Sequence, residues 1–265
     1  MLPLGIFSWF GYRLPLEKRL KLIAEAGFTA TCVWMGEEEE VVLDGHIDRM
    51  PGMVRDLGLT LDNVHAVSRH CNLLWSESSL DKNIIQEEYE AALSFCHRHR
   101  IPILVIHITQ SFNPPPMSTS GLHIIRSLVS QAEEMGVTIA IENTTRPDYL
   151  EYVFSNIRSP NLGFCYDSSH DFVAREFRGK ALQKWGSLLV ATHLSDNKGI
   201  KDDHLLPGQG TIDWNEVVKS FAKVNYNGTL MLEVDGPEAN KGLTADEFLK
   251  LGYQKVRKFA EKLEK

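Results

Sequence analysis

The chain has 265 residues with 28 Lys and Arg against 35 Asp and Glu, a formal net charge of -7. That sum offers no global attraction to a phosphate backbone, so nucleic acid is an unfavoured partner unless a local basic patch overrides it. Cys32, Cys71, Cys96 and Cys165 are scattered without a CxxC pair, no run of ~18 apolar residues occurs, and the opening MLPLGIFSWFGYRLPLEKRL lacks a basic head and a cleavage pattern; a soluble, cytoplasmic protein without disulfides or membrane segment is expected.

Apolar, β-rich runs alternate with amphipathic stretches along the sequence. A strand over 4–9 (LGIFSW) precedes a helix from Pro15 to Ala26, with Pro15 suited to helix entry and Gly27 to its stop. A strand over 29–35 precedes a helix over 46–57 ended by Gly58, one over 59–66 precedes a helix over 84–99, and one over 101–109 precedes a helix over 120–135 ended by Gly136. Strands over 138–143, 162–169, 188–196 and 229–234 follow, with helices over 148–157, 176–185, 214–224 and 244–264. Such alternation predicts parallel strands joined by right-handed crossovers, and eight units close a (β/α)8 barrel, an α/β fold in one domain over 1–265. An open, doubly wound sheet is the competing architecture. The acidic run Glu37–Glu40 reads as a solvated loop, because four consecutive side chains cannot converge on one ion. Connections 67–83, 110–119 and 197–213 all follow strands, on the face where barrel sites form.

The last four strands each end on a side chain able to bind a cation: Glu142 in TIAIEN, Asp167 in LGFCYDSS, His193 in LLVATHLSD and Glu233 in TLMLEV. Residues two apart on a strand share a face, so Ala140, Cys165, Ala191 and Met231 point the same way as those four, filling the interior below a cap of ligands. Singly, such a carboxylate is more often a helix cap and such a histidine a satisfied core group; four at matching positions point to a divalent-metal site. Mixed carboxylate and imidazole ligation suits Mn²⁺, Mg²⁺, Co²⁺ or Zn²⁺, and the lack of thiolate disfavours a structural zinc. His65 and His107 end strands three and four in the same phase, His170 follows Asp167, and Asp202 with His204 forms Asp-x-His after strand seven; these are substrate-binding or additional metal-binding candidates. Phe7, Trp9 and Trp34, at the early strand ends, are candidates for the apolar wall of a substrate pocket, against the alternative that they only close the barrel top. Gly208 and Gly210 in PGQG, with Lys198 or Lys201, suggest an anion site, against the alternative of a tight turn before Trp214.

The strings AIENTT, CYDSSH, THLSDNKG, DDHLLPGQGTIDW and LEVDG, in this order, resemble the xylose isomerase-like TIM barrel superfamily, most specifically between Glu142 and Gly236. That group includes sugar and sugar-phosphate isomerases and epimerases, and the endonuclease IV-like apurinic/apyrimidinic nucleases. Its epimerase branch implies that Glu142, Asp167, His193 and Glu233 hold one divalent ion, commonly Mn²⁺, and that Glu142 and Glu233 are also the catalytic acid/base pair. The implied reaction passes through a metal-stabilised cis-enediolate of a sugar or sugar phosphate, with His170 touching substrate oxygen. The nuclease branch implies three zinc ions on nine residues, for which His65, His107, Glu142, Asp167, His170, His193, Asp202, His204 and Glu233 are all present. The net charge and the loosely matching loop AVSRHCNLLW weigh for the isomerase. A homo-oligomer is compatible with either, and a metal-free binding barrel would leave the strand-end carboxylates without a role.

Overall fold

The structure, a computed structural model, describes residues 2–35, 45–174, 177–236 and 240–264; the acidic run Glu37–Glu40 lies outside them. Eight parallel strands, β1 (Leu4–Phe7), β2 (Ala30–Trp34), β3 (Thr60–His65), β4 (Ile103–Ile106), β5 (Thr138–Glu142), β6 (Leu162–Asp167), β7 (Leu189–His193) and β8 (Leu230–Leu232), form one sheet in the order β7-β6-β5-β4-β3-β2-β1-β8. The ends of that order meet at a parallel bridge between Leu194 and Leu232, where the Leu194 N–H donates to Met231 O at 2.8 Å and the Glu233 N–H to Leu194 O at 3.2 Å. The sheet is therefore a nearly closed (β/α)8 barrel rather than an open doubly wound layer.

Between the strands run α1 (Leu16–Glu25), α2 (Met50–Asp56), α3 (Ser79–His99), α4 (Thr119–Met135), α5 (Pro147–Asn156), α6 (Ser168–Val173), α7 (Ala181–Trp185) and α8 (Trp214–Phe221), with α9 (Ala245–Leu263) after β8. In α4, Leu122, Ile125, Leu128, Val129 and Ala132 recur at helical spacing and are buried, each large side chain stabilising the layer by about 1.5–3 kcal/mol. Ser118 caps its start by accepting from the Gly121 N–H at 3.1 Å, and Gly136 ends it in the left-handed region at φ 67°. Inside the barrel, Val105, Ala140, Cys165 and Ala191 form one buried cluster and Phe7, Ala30, Cys32 and Met231 another. Gly5 on β1 leaves room for its neighbours, since a Cβ there would meet Met231 Sδ at 2.8 Å and Thr229 Cγ2 at 2.9 Å and make them shift. All four cysteines are buried free thiols.

Several boundaries differ from the sequence expectation for identifiable reasons. α3 starts at Ser79 rather than 84 because the Ser78 hydroxyl caps it, and it ends with Arg100, a non-glycine residue, at φ 57°. β6 stops at Asp167, not 169, since Asp167 is itself the cap of α6. The helix expected over 176–185 is reduced to α7, Ala181–Trp185, preceded by a turn with Gly179 at φ 72°. β8 ends at Leu232, which leaves Glu233 one residue beyond the strand. No helix among the described residues is long and apolar enough to cross a membrane.

Candidate active site

Glu142, Asp167, His193 and Glu233 each offer a ligand atom, and these atoms lie within 4.8 Å of one another. The common strand phase brings them there: β5, β6 and β7 end on the first three, and the Glu233 backbone is tied to β7 through Leu194. Glu142 is the hub. One of its oxygens lies 2.9 Å from His193 Nδ1 and 3.3 Å from both His65 Nε2 and His107 Nε2, while the other lies 3.2 Å from His170 Nδ1. From His170 the contacts run outward: its Nε2 is 3.2 Å from Asp202 Oδ2, which is 2.8 Å from His204 Nε2. His193 Nδ1 also lies 3.2 Å from Glu233 Oε2. All nine residues implied by the resemblance thus stand in one connected cluster.

Asp167 divides its two oxygens between tasks. Oδ1 accepts the His170 N–H at 2.5 Å and starts α6, which sets His170 beside Glu142; Oδ2 is buried with no hydrogen-bond partner. The same is true of Glu142 Oε1, His193 Nε2, Glu233 Oε2, His107 Nε2 and His170 Nδ1, whose close neighbours are misaligned for hydrogen bonding. Unpaired buried polar atoms cost about 1–3 kcal/mol each, and so many in one spot, drawn from carboxylates and imidazoles, fit a bound divalent cation.

The electrostatics agree with that fit. Burial pushes the Asp167 carboxyl well above the usual range and Asp202, Glu142 and Glu233 add to it against the opposing pull of His170. Burial also works against charge on Glu142, but His193 and His107 outweigh it and hold its carboxyl well below the ordinary value. Burial lowers His107, partly offset by Glu142, whereas for His170 and His204 the burial effect is overcome by Asp167 and Asp202, His204 reaching about 10. Burial and the neighbouring acids thus favour the protonated form of Asp167, and a cation bound beside it would favour the ionised form, so ion binding is expected to release protons. Titration calorimetry with Mn²⁺ in buffers of different ionisation enthalpy checks this; a buffer-independent binding enthalpy would contradict it.

Above the cluster opens a cavity of about 380 Å³ whose lining includes Trp34, His65, His107, His170, Asp202, His204 and Glu233. Phe7 packs edge-on against His193, ring centroids 4.8 Å apart. Trp9 does not line this cavity: the Arg19 guanidinium, held by Leu14 O and Ser8 O, sits 5.2 Å from its ring centroid and keeps it against the outer layer. Lys198 lines an adjoining cavity of about 490 Å³ that shares Ile200, Lys201, Asp202 and His204 with the first. The PGQG segment is the tight turn and not an anion cradle, because the Gly208 N–H is already donated to Asp196 Oδ2 at 2.8 Å and Gly210 abuts Asn197 O. The cavity also exposes residues that the sequence reading passed over, among them Thr109, Thr144, Phe112 and Ile200. Thr109 and Thr144 were legible in principle, since they continue the inward phase two residues beyond His107 and Glu142; their hydroxyls meet at 2.5 Å. Phe112 and Ile200 lie in loops, where no period marks direction.

The model of a family described as xylose isomerase-like TIM barrel matches residues 20–252. An inosose isomerase of Bacillus velezensis is 26% identical over 144 residues, 49% of this chain and 51% of that protein. A D-psicose 3-epimerase of Ruminiclostridium cellulolyticum is 22% identical over 209 residues, covering 72% of this chain and 68% of the epimerase. For three curated relatives, the inosose isomerase included, the chain spans only 34% to 51% of the relative's length. A solved structure of the IOLI protein with a bound zinc atom superposes with a TM-score of 0.83 over 99% of both chains at 18% identity, a likeness of fold.

Proposed function

Because the chain belongs to the xylose isomerase-like TIM barrel family, with relatives that are sugar isomerases and epimerases, we propose that it is a divalent-metal-dependent isomerase or epimerase of a sugar or sugar phosphate. The observation that carries this reading is the convergence of Glu142, Asp167, His193 and Glu233 with their unpaired buried atoms. Those four residues hold the ion, Mn²⁺ by preference, with Zn²⁺, Co²⁺ or Mg²⁺ as substitutes. A cation there supplies Lewis acidity, lowering the cost of the negative charge that develops when a substrate carbon beside a carbonyl loses its proton. Glu233 lines the cavity and removes or returns that proton; Glu142, kept ionised by the surrounding imidazoles and buried beneath them, is its partner. His170, His65 and His107 line the cavity where substrate oxygens would sit, while Trp34 and Phe112 wall it. The working context we propose is cytoplasmic, with 1–265 as one domain.

Protein purified without chelator is expected to carry about one divalent ion per chain and to exchange a carbon-bound proton of a ketose with solvent deuterium, read by NMR over a panel of free and phosphorylated ketoses. A second reading is favoured by one observation, the gathering of all nine histidines and acids, with His65, His107 and Glu142 forming another group of mutually close ligand atoms. Two or three zinc ions per chain and cleavage of a duplex at an abasic site, without deuterium exchange, would replace the isomerase by a zinc-dependent phosphodiesterase.

A further inference from the structure

The four ligand-bearing chain segments are not spaced by the backbone ladder alone. Between β5 and β6 the last paired residues are Glu142 and Cys165; beyond them the Asn143 side chain takes over, its Nδ2 donating to Asp167 O at 2.8 Å and its Oδ1 accepting the Asp167 N–H at 2.8 Å. Between β6 and β7, where the register shifts at Phe164/Cys165, the Ser168 hydroxyl donates to Ser195 O at 2.7 Å and accepts the Ser195 N–H at 3.0 Å. Between β7 and β8, joined by the bridge at Leu194 and Leu232, the Thr192 hydroxyl donates to Thr229 O at 2.9 Å and accepts the Met231 N–H at 3.1 Å.

The three side chains have two features in common. Each is buried, at 2%, 0% and 1% relative exposure for Asn143, Ser168 and Thr192, and each adjoins a proposed ligand in sequence: Asn143 follows Glu142, Ser168 follows Asp167 and Thr192 precedes His193. At this burial, a clamp of this kind swings away only by leaving two backbone groups and its own polar atoms unpaired. We infer that Asn143, Ser168 and Thr192 are positioning residues that set the separations of Glu142, Asp167, His193 and Glu233, and through them the affinity for the ion. The inference rests on the metal-site reading above, and it concerns what holds the ligands rather than the ligands themselves. Outer-shell hydrogen bonds that orient metal ligands are typically worth about 10- to 100-fold in metal affinity, and these clamps orient the same ligands through the backbone.

Thr31 supplies the control. On the β1/β2 junction its hydroxyl, equally buried, donates to Ile6 O at 2.8 Å, and Thr31 adjoins no proposed ligand in sequence. Thr192→Val and Thr31→Val each keep the side-chain shape and lose the hydroxyl, so both are expected to lower the melting temperature of chelator-stripped protein. Only Thr192→Val is expected to weaken Mn²⁺ binding, by roughly 10- to 100-fold in calorimetric titration, and Thr192→Ser, which restores a hydroxyl, should recover most of that loss. Should Thr192→Val fail to fold, Ser168→Ala reads the β6/β7 junction in the same way. Wild-type affinity in the Val variant, or equal weakening by Thr31→Val, overturns the inference while leaving the metal site standing. A wild-type protein that binds no divalent ion overturns the metal site itself, and the clamps then have no ligand set to space.

Discussion

Glu233→Gln is expected to cut solvent-deuterium exchange into the substrate by roughly 10²- to 10⁴-fold, the usual worth of a positioned general acid or base. The amide keeps the size of the side chain and an oxygen for the cation but cannot accept a proton from carbon. Glu233 is the glutamate that faces the cavity, its side chain 17% exposed, whereas Glu142 is fully buried beneath four imidazoles. The two substitutions therefore differ in signature. With Mn²⁺ in excess, Glu233→Gln should retain the ion and lose the proton transfer. Glu142→Gln should lose both, because the charge of Glu142 is what His193, His107, His65 and His170 are arranged around and removing one member of a buried charge cluster leaves its partners uncompensated. Exchange at the wild-type rate in either variant would refute an acid/base pair made of these two glutamates. Wild-type metal affinity in Glu142→Gln would instead leave the pair intact and remove Glu142 from the ligand set.

The barrel was readable because its strands and helices announce themselves by period and its site by phase. Glu142, Asp167 and His193 close three successive runs of the same alternation, and a strand's period of two leaves no choice about which way they point. The same rule placed His65 and, one residue beyond β4, His107. Beyond the strand ends the rule is no longer secure, holding at Thr109 and Thr144 and failing at Trp9. Trp9 illustrates the failure: two residues past Phe7 it falls in the inward phase, but β1 has already ended, and the indole packs against the Arg19 guanidinium from α1. A helix cap is the ordinary role of a lone strand-end carboxylate, and Asp followed by Ser-Ser-His is a cap sequence; it could not be assigned to Asp167 because a strand reading carried through to 169 left no room for a helix start. The clamps at Asn143, Ser168 and Thr192 could not be foreseen from one chain, since each depends on which neighbour's backbone lies opposite.

The PGQG turn carries the second large expected effect, through a residue that the sequence reading did not single out. Asp196 is fully buried and its side chain accepts from the N–H groups of Asn197 at 2.8 Å, Gly208 at 2.8 Å and Ile212 at 3.1 Å, and from Trp214 Nε1 at 2.9 Å. Its backbone pairs with Leu205 in both directions, 2.8 and 2.9 Å. One carboxyl group thus folds the connection 197–213 back onto the barrel, and that connection bears Asp202 and His204 at the cavity. Asp196→Ala would strand four donors, of which the Asn197 and Ile212 N–H groups are buried at about 1–3 kcal/mol each, while water can reach those of Gly208 and Trp214, for an expected loss of about 3–5 kcal/mol in unfolding free energy. Gly210→Ala tests the same packing from the other side, since its Cβ would fall 2.2 Å from Asn197 O and 2.3 Å from Asp196 Oδ1. Because Glu142, Asp167, His193 and Glu233 lie outside this connection, Asp196→Ala at a temperature where it remains folded should still bind Mn²⁺ while turnover falls as the cavity loses its Asp202 and His204 wall. Urea unfolding within about 1 kcal/mol of wild type would show that water satisfies the four donors as well as Asp196 does. Unchanged turnover in a measurably destabilised variant would show that the connection is scaffolding alone, and would remove Asp202 and His204 from the working site.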